Sequence, residues 1–240
     1  GSIQVDGFGL DIKNNVTIQG TGYNGFGALQ SIGQNTWSGT ISVAGTASVG
    51  VGIGSELIVS GQITQTAGTT TNNQLVKNGA GTVILSTAQN SLTLPVLVQE
   101  GTLIVQAPGN LGAGASASSQ ITVSTSVPVN SATLALDGGA AGKLSISNRT
   151  LNLDGAGVSG AGALRSISGI NTWAGNINLS GTSQVAYVGV DTDTLTLSGN
   201  ISGGSSTLQK TGAGDLIISG SGNTHKSTVI GAGIIYQIGQ

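Results

Sequence analysis

Apolar and polar residues alternate along this chain in short β-branched runs. Examples are Val16-Thr17-Ile18-Gln19, Thr40-Ile41-Ser42-Val43, Gln120-Ile121-Thr122-Val123, Leu144-Ser145-Ile146, Leu151-Asn152-Leu153, Asn176-Ile177-Asn178-Leu179 and Leu195-Thr196-Leu197, beside fully apolar runs such as Leu103-Ile104-Val105. A period of two is the mark of strands with one face turned inward. Gly, Asn and Ser interrupt the runs at intervals of about 8–12 residues, where turns are expected. Helical periodicity is nearly absent. Two architectures fit: an antiparallel sandwich or barrel, and a β-solenoid in which each coil of roughly 20 residues adds short strands to parallel sheets.

The chain then repeats itself. Gly27-Ala28-Leu29-Gln30-Ser31-Ile32 with Asn35-Thr36-Trp37-Ser38-Gly39 returns as Gly162-Ala163-Leu164-Arg165-Ser166-Ile167 with Asn171-Thr172-Trp173-Ala174-Gly175. Lys77-Asn78-Gly79-Ala80-Gly81 followed by Val83-Ile84-Leu85 returns as Lys210-Thr211-Gly212-Ala213-Gly214 followed by Leu216-Ile217-Ile218. The offset is 135 residues at Leu29 and Leu164 and 133 at Lys77 and Lys210. A stacked array explains such self-similarity, with loops at coil corners absorbing small length changes. Gly20-Thr21-Gly22, Gly155-Ala156-Gly157 and Gly160-Ala161-Gly162 suit corners that need positive φ. The sequence thus predicts an all-β, parallel β-helix of about 10–12 coils, with a length of roughly 50–60 Å at about 4.8 Å per coil. The first copy spans 1–108 and the second 144–240. A seam lies at 109–143, within a Gly/Ala/Ser-rich region flanked by Pro108 and Pro128.

Composition sharpens the picture. Charged residues make up 7% of the 240 residues, against about 25% in ordinary domains. Hydrophobic residues reach 38% and aromatics only 3%, which suits a narrow aliphatic interior better than a wide sandwich core. Seven Lys and Arg are scattered singly and the net charge is −2, so no nucleic-acid partner is expected. No apolar run approaches the 18–20 residues of a membrane helix, and no membrane insertion of this segment is expected. There are no Cys and no Met. Gly1-Ser2 reads as a cloning remnant, and the chain as a cut-out from a longer protein.

Few residues offer chemistry. His225 is the only His, so a zinc site or a Ser-His-Asp triad lacks parts; it is expected at a corner or on the surface. Asp191 and Asp193 are the one close acidic pair. If extended, both carboxylates face one side, where calcium or acid–base work on a glycan competes with a solvated corner. Trp37 and Trp173 recur at matching positions. A coil-covering role with the indole N–H bonded at a corner is weighed against stacking on a sugar. Asn35 and Asn171 are expected to bond turn backbone. The sequon Asn148-Arg149-Thr150 fits chance in this composition. No catalytic, cofactor-binding or metal residue is assigned, and no cofactor.

The run Lys77-Asn78-Gly79-Ala80-Gly81-Thr82-Val83-Ile84-Leu85, with Asn90 and Val98-Gln99-Glu100-Gly101-Thr102-Leu103, resembles the passenger-associated transport repeat of bacterial autotransporters. The second copy, from Leu208-Gln209-Lys210 to Gly233-Ile234-Ile235, resembles it less closely: Asp215 replaces the Thr, and His225-Lys226 interrupt the linker. The resemblance implies a right-handed parallel β-helix in an extracellular passenger at the bacterial cell surface, with coil-by-coil folding aiding export. The expectation is a non-catalytic structural or adhesive stalk, with a host surface, neighbouring cell or glycan as partner. Two alternatives are a fibre or sheath subunit associating end to end, since an uncovered solenoid end is a strand template, and a polysaccharide-degrading enzyme.

Overall fold

The computed structural model describes residues 1–238 except 67–72, 88–91, 110, 112–118, 125–131, 140–141, 148 and 182. Much of the seam, with Pro128, and the positions of Asn90 and Asn148 lie outside the described residues. The chain is a parallel β-helix. It visits three faces in a fixed order, here A, B and C, and strands on a face pair in parallel with those of the neighbouring coils.

Face B is the longest column. It stacks ten strands: residues 10–12, 35–37, Glu56–Val59, Thr82–Leu85, Gly101–Val105, Ala132–Asp137, Leu164–Ser168, Val185–Val190, Thr207–Thr211 and Ser227–Ile230. Face A starts at residues 3–8 and runs through 29–33, 46–51, Gln74–Asn78, Val96–Val98, Ile121–Val123, Leu151–Leu153 and Ile177–Leu179 to Ile201–Ser202. Face C comes in two pieces. The first holds Val16–Gly20, 41–43 and Ile63–Gln65. The second holds Lys143–Ile146, Ile170–Trp173, Thr194–Leu197, Asp215–Ile218 and Ile234–Gln237. Among the described residues no ladder joins the two pieces, whereas faces A and B continue unbroken through 109–143.

Alternation makes this possible. In Leu151–Leu153 and Ile177–Leu179 the outer residues are buried and the middle Asn is not. The inward column of face B reads Leu57, Val83, Leu103, Leu134, Leu164, Val188, all buried. Each inward aliphatic removed from water contributes roughly 1.5–3 kcal/mol. The polar corner glycines take positive φ as expected, including Gly20, Gly22, Gly155, Gly157, Gly160 and Gly162.

The two sequence copies do not superpose by translation along the axis. Leu29 stands on face A, but its counterpart Leu164 stands on face B. Trp37 is on face B and Trp173 on face C; Lys77 is on face A and Lys210 on face B. The repeat closes after five full turns plus one further face. The second copy is therefore rotated by one face about the rod axis, and the same motif points in a new direction each time it recurs.

Candidate functional site

Lys77 and Lys210 make the most unusual arrangement in the rod. Lys77 shares the inward phase of Leu75, as Lys210 shares that of Leu208, so each ammonium is driven into the interior; both residues are buried. Lys77 Nζ donates to the carbonyls of Asn78 (3.1 Å), Gly79 (2.6 Å) and Glu100 (2.8 Å). Lys210 Nζ donates to those of Thr211 (2.9 Å), Gly212 (2.7 Å) and Ala232 (3.0 Å). Three donors meet three acceptors, two from the lysine's own corner and one from the next coil. Burial pushes Lys77 down to about 7, with the Glu100 carboxylate opposing. Burial lowers Lys210 as well, against Asp215.

This geometry explains the glycines of the motif. A Cβ on Gly101 would lie 2.8 Å from Lys77 Nζ and 2.5 Å from the Gly79 carbonyl oxygen, and Gly101 has φ +70°. Gly233 repeats this against Lys210 Nζ at 2.6 Å, again with φ +70°. The Lys-x-Gly-x-Gly corner and the later Gly are thus the parts of one clamp that ties a coil to its neighbour.

Asn35 and Asn171 are buried and both bond the corner backbone, as expected. Asn35 Nδ2 donates to Ile32 O (2.9 Å) and Ser31 Oγ (3.2 Å). Asn171 Nδ2 donates to Ser168 O (2.8 Å) and Ser166 Oγ (2.8 Å). Trp37 and Trp173 are buried inside the rod, each stacked between aliphatics of adjoining coils: Ile12 and Val59 for the first, Ile146 and Leu197 for the second. Neither indole Nε1 has a hydrogen-bond acceptor. The corner bond expected of the indole is absent in both.

Arg149 received no role from the sequence, yet it is a buried cation in the gap of face C. Its Nη1 donates to Leu94 O (3.0 Å) and Ser119 O (2.7 Å), and its Nη2 to Leu92 O (2.8 Å). One guanidinium thus holds carbonyls from two earlier coils where the ladder is missing. Burial pushes it down to about 10. The signal for Arg149 was faint: a charge two residues before the inward Leu151, in a chain with few charges.

Asp191 and Asp193 do not lie in an extended segment. Asp193 has φ +56°, so the carboxylates diverge. Asp191 takes a bidentate bond from Arg165, with Nη2 to Oδ2 at 2.6 Å and Nε to Oδ1 at 3.1 Å. Asp193 Oδ2 accepts from Gly169 N at 2.9 Å. The paired-carboxylate reading fails on that geometry. Among the described residues no group of three or more His, Cys, Asp or Glu gathers to hold a metal. His225 sits at a corner, half-buried, with Nε2 2.7 Å from Thr228 Oγ1. Burial lowers its pKa, against a backbone contact with Ile201. No helix among the described residues is long and apolar enough to cross a membrane.

Comparison with family models, curated proteins and solved structures found no match.

Proposed function

We propose that the chain is a non-catalytic, extracellular structural or adhesive stalk segment of an autotransporter-like bacterial surface protein. The observation that carries this reading is where the recurring residues point. Asn35 and Asn171, Trp37 and Trp173, and Lys77 and Lys210 are all buried. What the chain preserves between its copies is therefore spent inside the rod, on bonding corners within a coil and on clamping one coil to the next. The Lys-x-Gly-x-Gly resemblance supports the autotransporter part of the reading, and the clamp gives that motif a physical task. Each coil that closes its clamp gains ladder bonds and buried area against the coil before it, so folding from one end biases an emerging chain outward.

The test has two arms. Antibodies against the rod should label intact producing bacteria, and external protease should remove the label. A protein that is protected until the cells are opened contradicts the surface reading. A panel of acidic and neutral polysaccharides incubated with the purified chain should show no new reducing ends; turnover of any of them contradicts the non-catalytic one.

A further inference from the structure

The outward side chains of face A form a second ladder on the surface of the rod. In Ile121–Val123, Leu151–Leu153, Ile177–Leu179 and Ile201–Ser202 the aliphatics turn inward, so Thr122, Asn152, Asn178 and Ser202 turn outward in one column. These side chains bond to one another from rung to rung. Asn152 Nδ2 donates to Thr122 Oγ1 (3.2 Å) and Gln120 Oε1 (2.8 Å). Asn178 Nδ2 donates to Asn152 Oδ1 (3.3 Å), and Ser202 Oγ donates to Asn178 Oδ1 (3.3 Å). Amides and hydroxyls are thereby held in order, about 4.8 Å apart along the axis.

Two further observations point to a class of ligand. The first is where charge stands. The outward positions of 120–124, 150–154, 176–180 and 200–202 hold only Ser, Thr, Asn and Gln, apart from Asp154, which is buried and bonded by Ser183 Oγ. The exposed and half-exposed charges between residues 120 and 202, namely Asp137, Lys143, Arg165, Asp191 and Asp193, all stand on faces B and C or at the corner between them. An uncharged array of donors and acceptors suits a partner that is itself uncharged and rich in hydroxyls, whereas an acidic polymer would meet no cation there. The second is recurrence. In the first copy the matching strands lie on face C, and Thr17, Ser42 and Thr64 fill the same outward column, with Ser42 Oγ 3.1 Å from Thr64 Oγ1. Residue identities change here, but the chemistry stays. Each ladder also has a tyrosine at the corner that follows its strand. Tyr23, 71% exposed, follows Val16–Gly20. Half-buried Tyr187 donates its N–H to Gly155 O (2.9 Å), just beyond Leu151–Leu153. An aromatic ring beside amides and hydroxyls gives the apolar face of a sugar a partner as well.

We infer that the outward ladder of Asn152 and Asn178 binds a neutral polysaccharide, whose chain lies along the rod and exchanges hydrogen bonds with successive rungs. This rests on the adhesive part of the function proposed above and names its partner. Because the side chains are ordered before contact, little further entropy is lost on binding.

The test incubates the purified chain with insoluble cellulose, chitin, mannan and β-1,3-glucan, and with polygalacturonate and alginate gels as acidic counterparts, and reads depletion of the chain from solution. At least one neutral polymer should retain it. Salt at about 1 M, which screens charges more than roughly 3 Å apart, should leave that retention unchanged. Asn152→Ala combined with Asn178→Ala should weaken it at least about tenfold. Thr172→Ala combined with Thr196→Ala, outward on face C, should not. Circular dichroism checks that the strands persist; if the Asn variant loses them, Asn178→Thr, which supplies a residue at home in strands, takes its place with the same expected direction. No retention on any neutral polymer overturns the inference. So does retention confined to the acidic gels or lost in salt, an Asn variant that binds like the wild type, or a face C variant that weakens binding as much. None of these outcomes bears on surface exposure, which antibody labelling reads separately; a chain that binds a neutral polymer but is not displayed contradicts the surface reading alone.

Discussion

At the scale of single residues, the decisive fact is that a chain with so few charges buries three of its cations against backbone carbonyls. Removing Lys77 leaves the carbonyls of Asn78, Gly79 and Glu100 without their donor. Lys77→Met should therefore cost about 1–3 kcal/mol in urea unfolding, and Lys210→Met a similar amount. Protonation adds a second test. Lys77 falls from 10.5 to about 7 on folding. Below pH 7 both states are charged and the folded state bears the whole desolvation cost. Between about 7 and 10.5 the unfolded chain holds a proton that the folded chain has released, so stability rises with pH across that window and levels off above it. The urea midpoint of the wild type should climb from pH 7 to 10, and that of Lys77→Met should climb less. A midpoint that falls over this range would mean the three carbonyls outweigh burial. Trp173 offers a contrast. Trp173→Ala opens the interior and should cost about 3–5 kcal/mol. Trp173→Phe discards an indole N–H that has no acceptor and should cost under about 1.5 kcal/mol.

At the scale of elements, the alternation of residues such as Ile177-Asn178-Leu179 and Ile121-Thr122-Val123 made the strands, and even their inward faces, legible from sequence. Glycine corners were legible for the same local reason. The lysine clamp was half-legible. The motif stood out, and two of each ammonium's three acceptors lie in the motif itself, but the third comes from 23 residues away for Lys77 and 22 for Lys210, and only the coil length brings it under the ammonium. Of the two readings of Asp191 and Asp193, the solvated corner holds, because a positive φ at Asp193 breaks the extended geometry that a paired-carboxylate site would need. Arg149 was missed since its partners, Leu92, Leu94 and Ser119, are joined to it by winding alone. It bridges the interval where face C lacks a ladder. Arg149→Gln should lower stability by about 1–3 kcal/mol and concentrate the first cuts of limited proteolysis between residues 86 and 150, read by mass spectrometry. Cuts distributed as in the wild type would remove Arg149 from that role.

At the scale of the whole molecule, ten stacked strands on one face give a rod about 45 Å long, within the coil number that the sequence predicted. What the sequence could not convey is phase. A linear offset of 135 residues records that a motif returns, but not that five turns plus one face bring it back pointing a third of the way round. Stability in such a stack is a sum over neighbouring coils, and the account rests on every coil lying parallel on the one before. Spin-label distances in the naturally Cys-free chain measure that directly. One label at Thr36→Cys is paired in turn with Ile104→Cys, Arg165→Cys and Thr211→Cys, which lie three, five and seven rungs along the same column. Parallel stacking predicts separations near 14, 24 and 34 Å, growing in proportion to rung number at about 4.8 Å each. Distances that level off, or that shorten as the labels move apart in sequence, would contradict it.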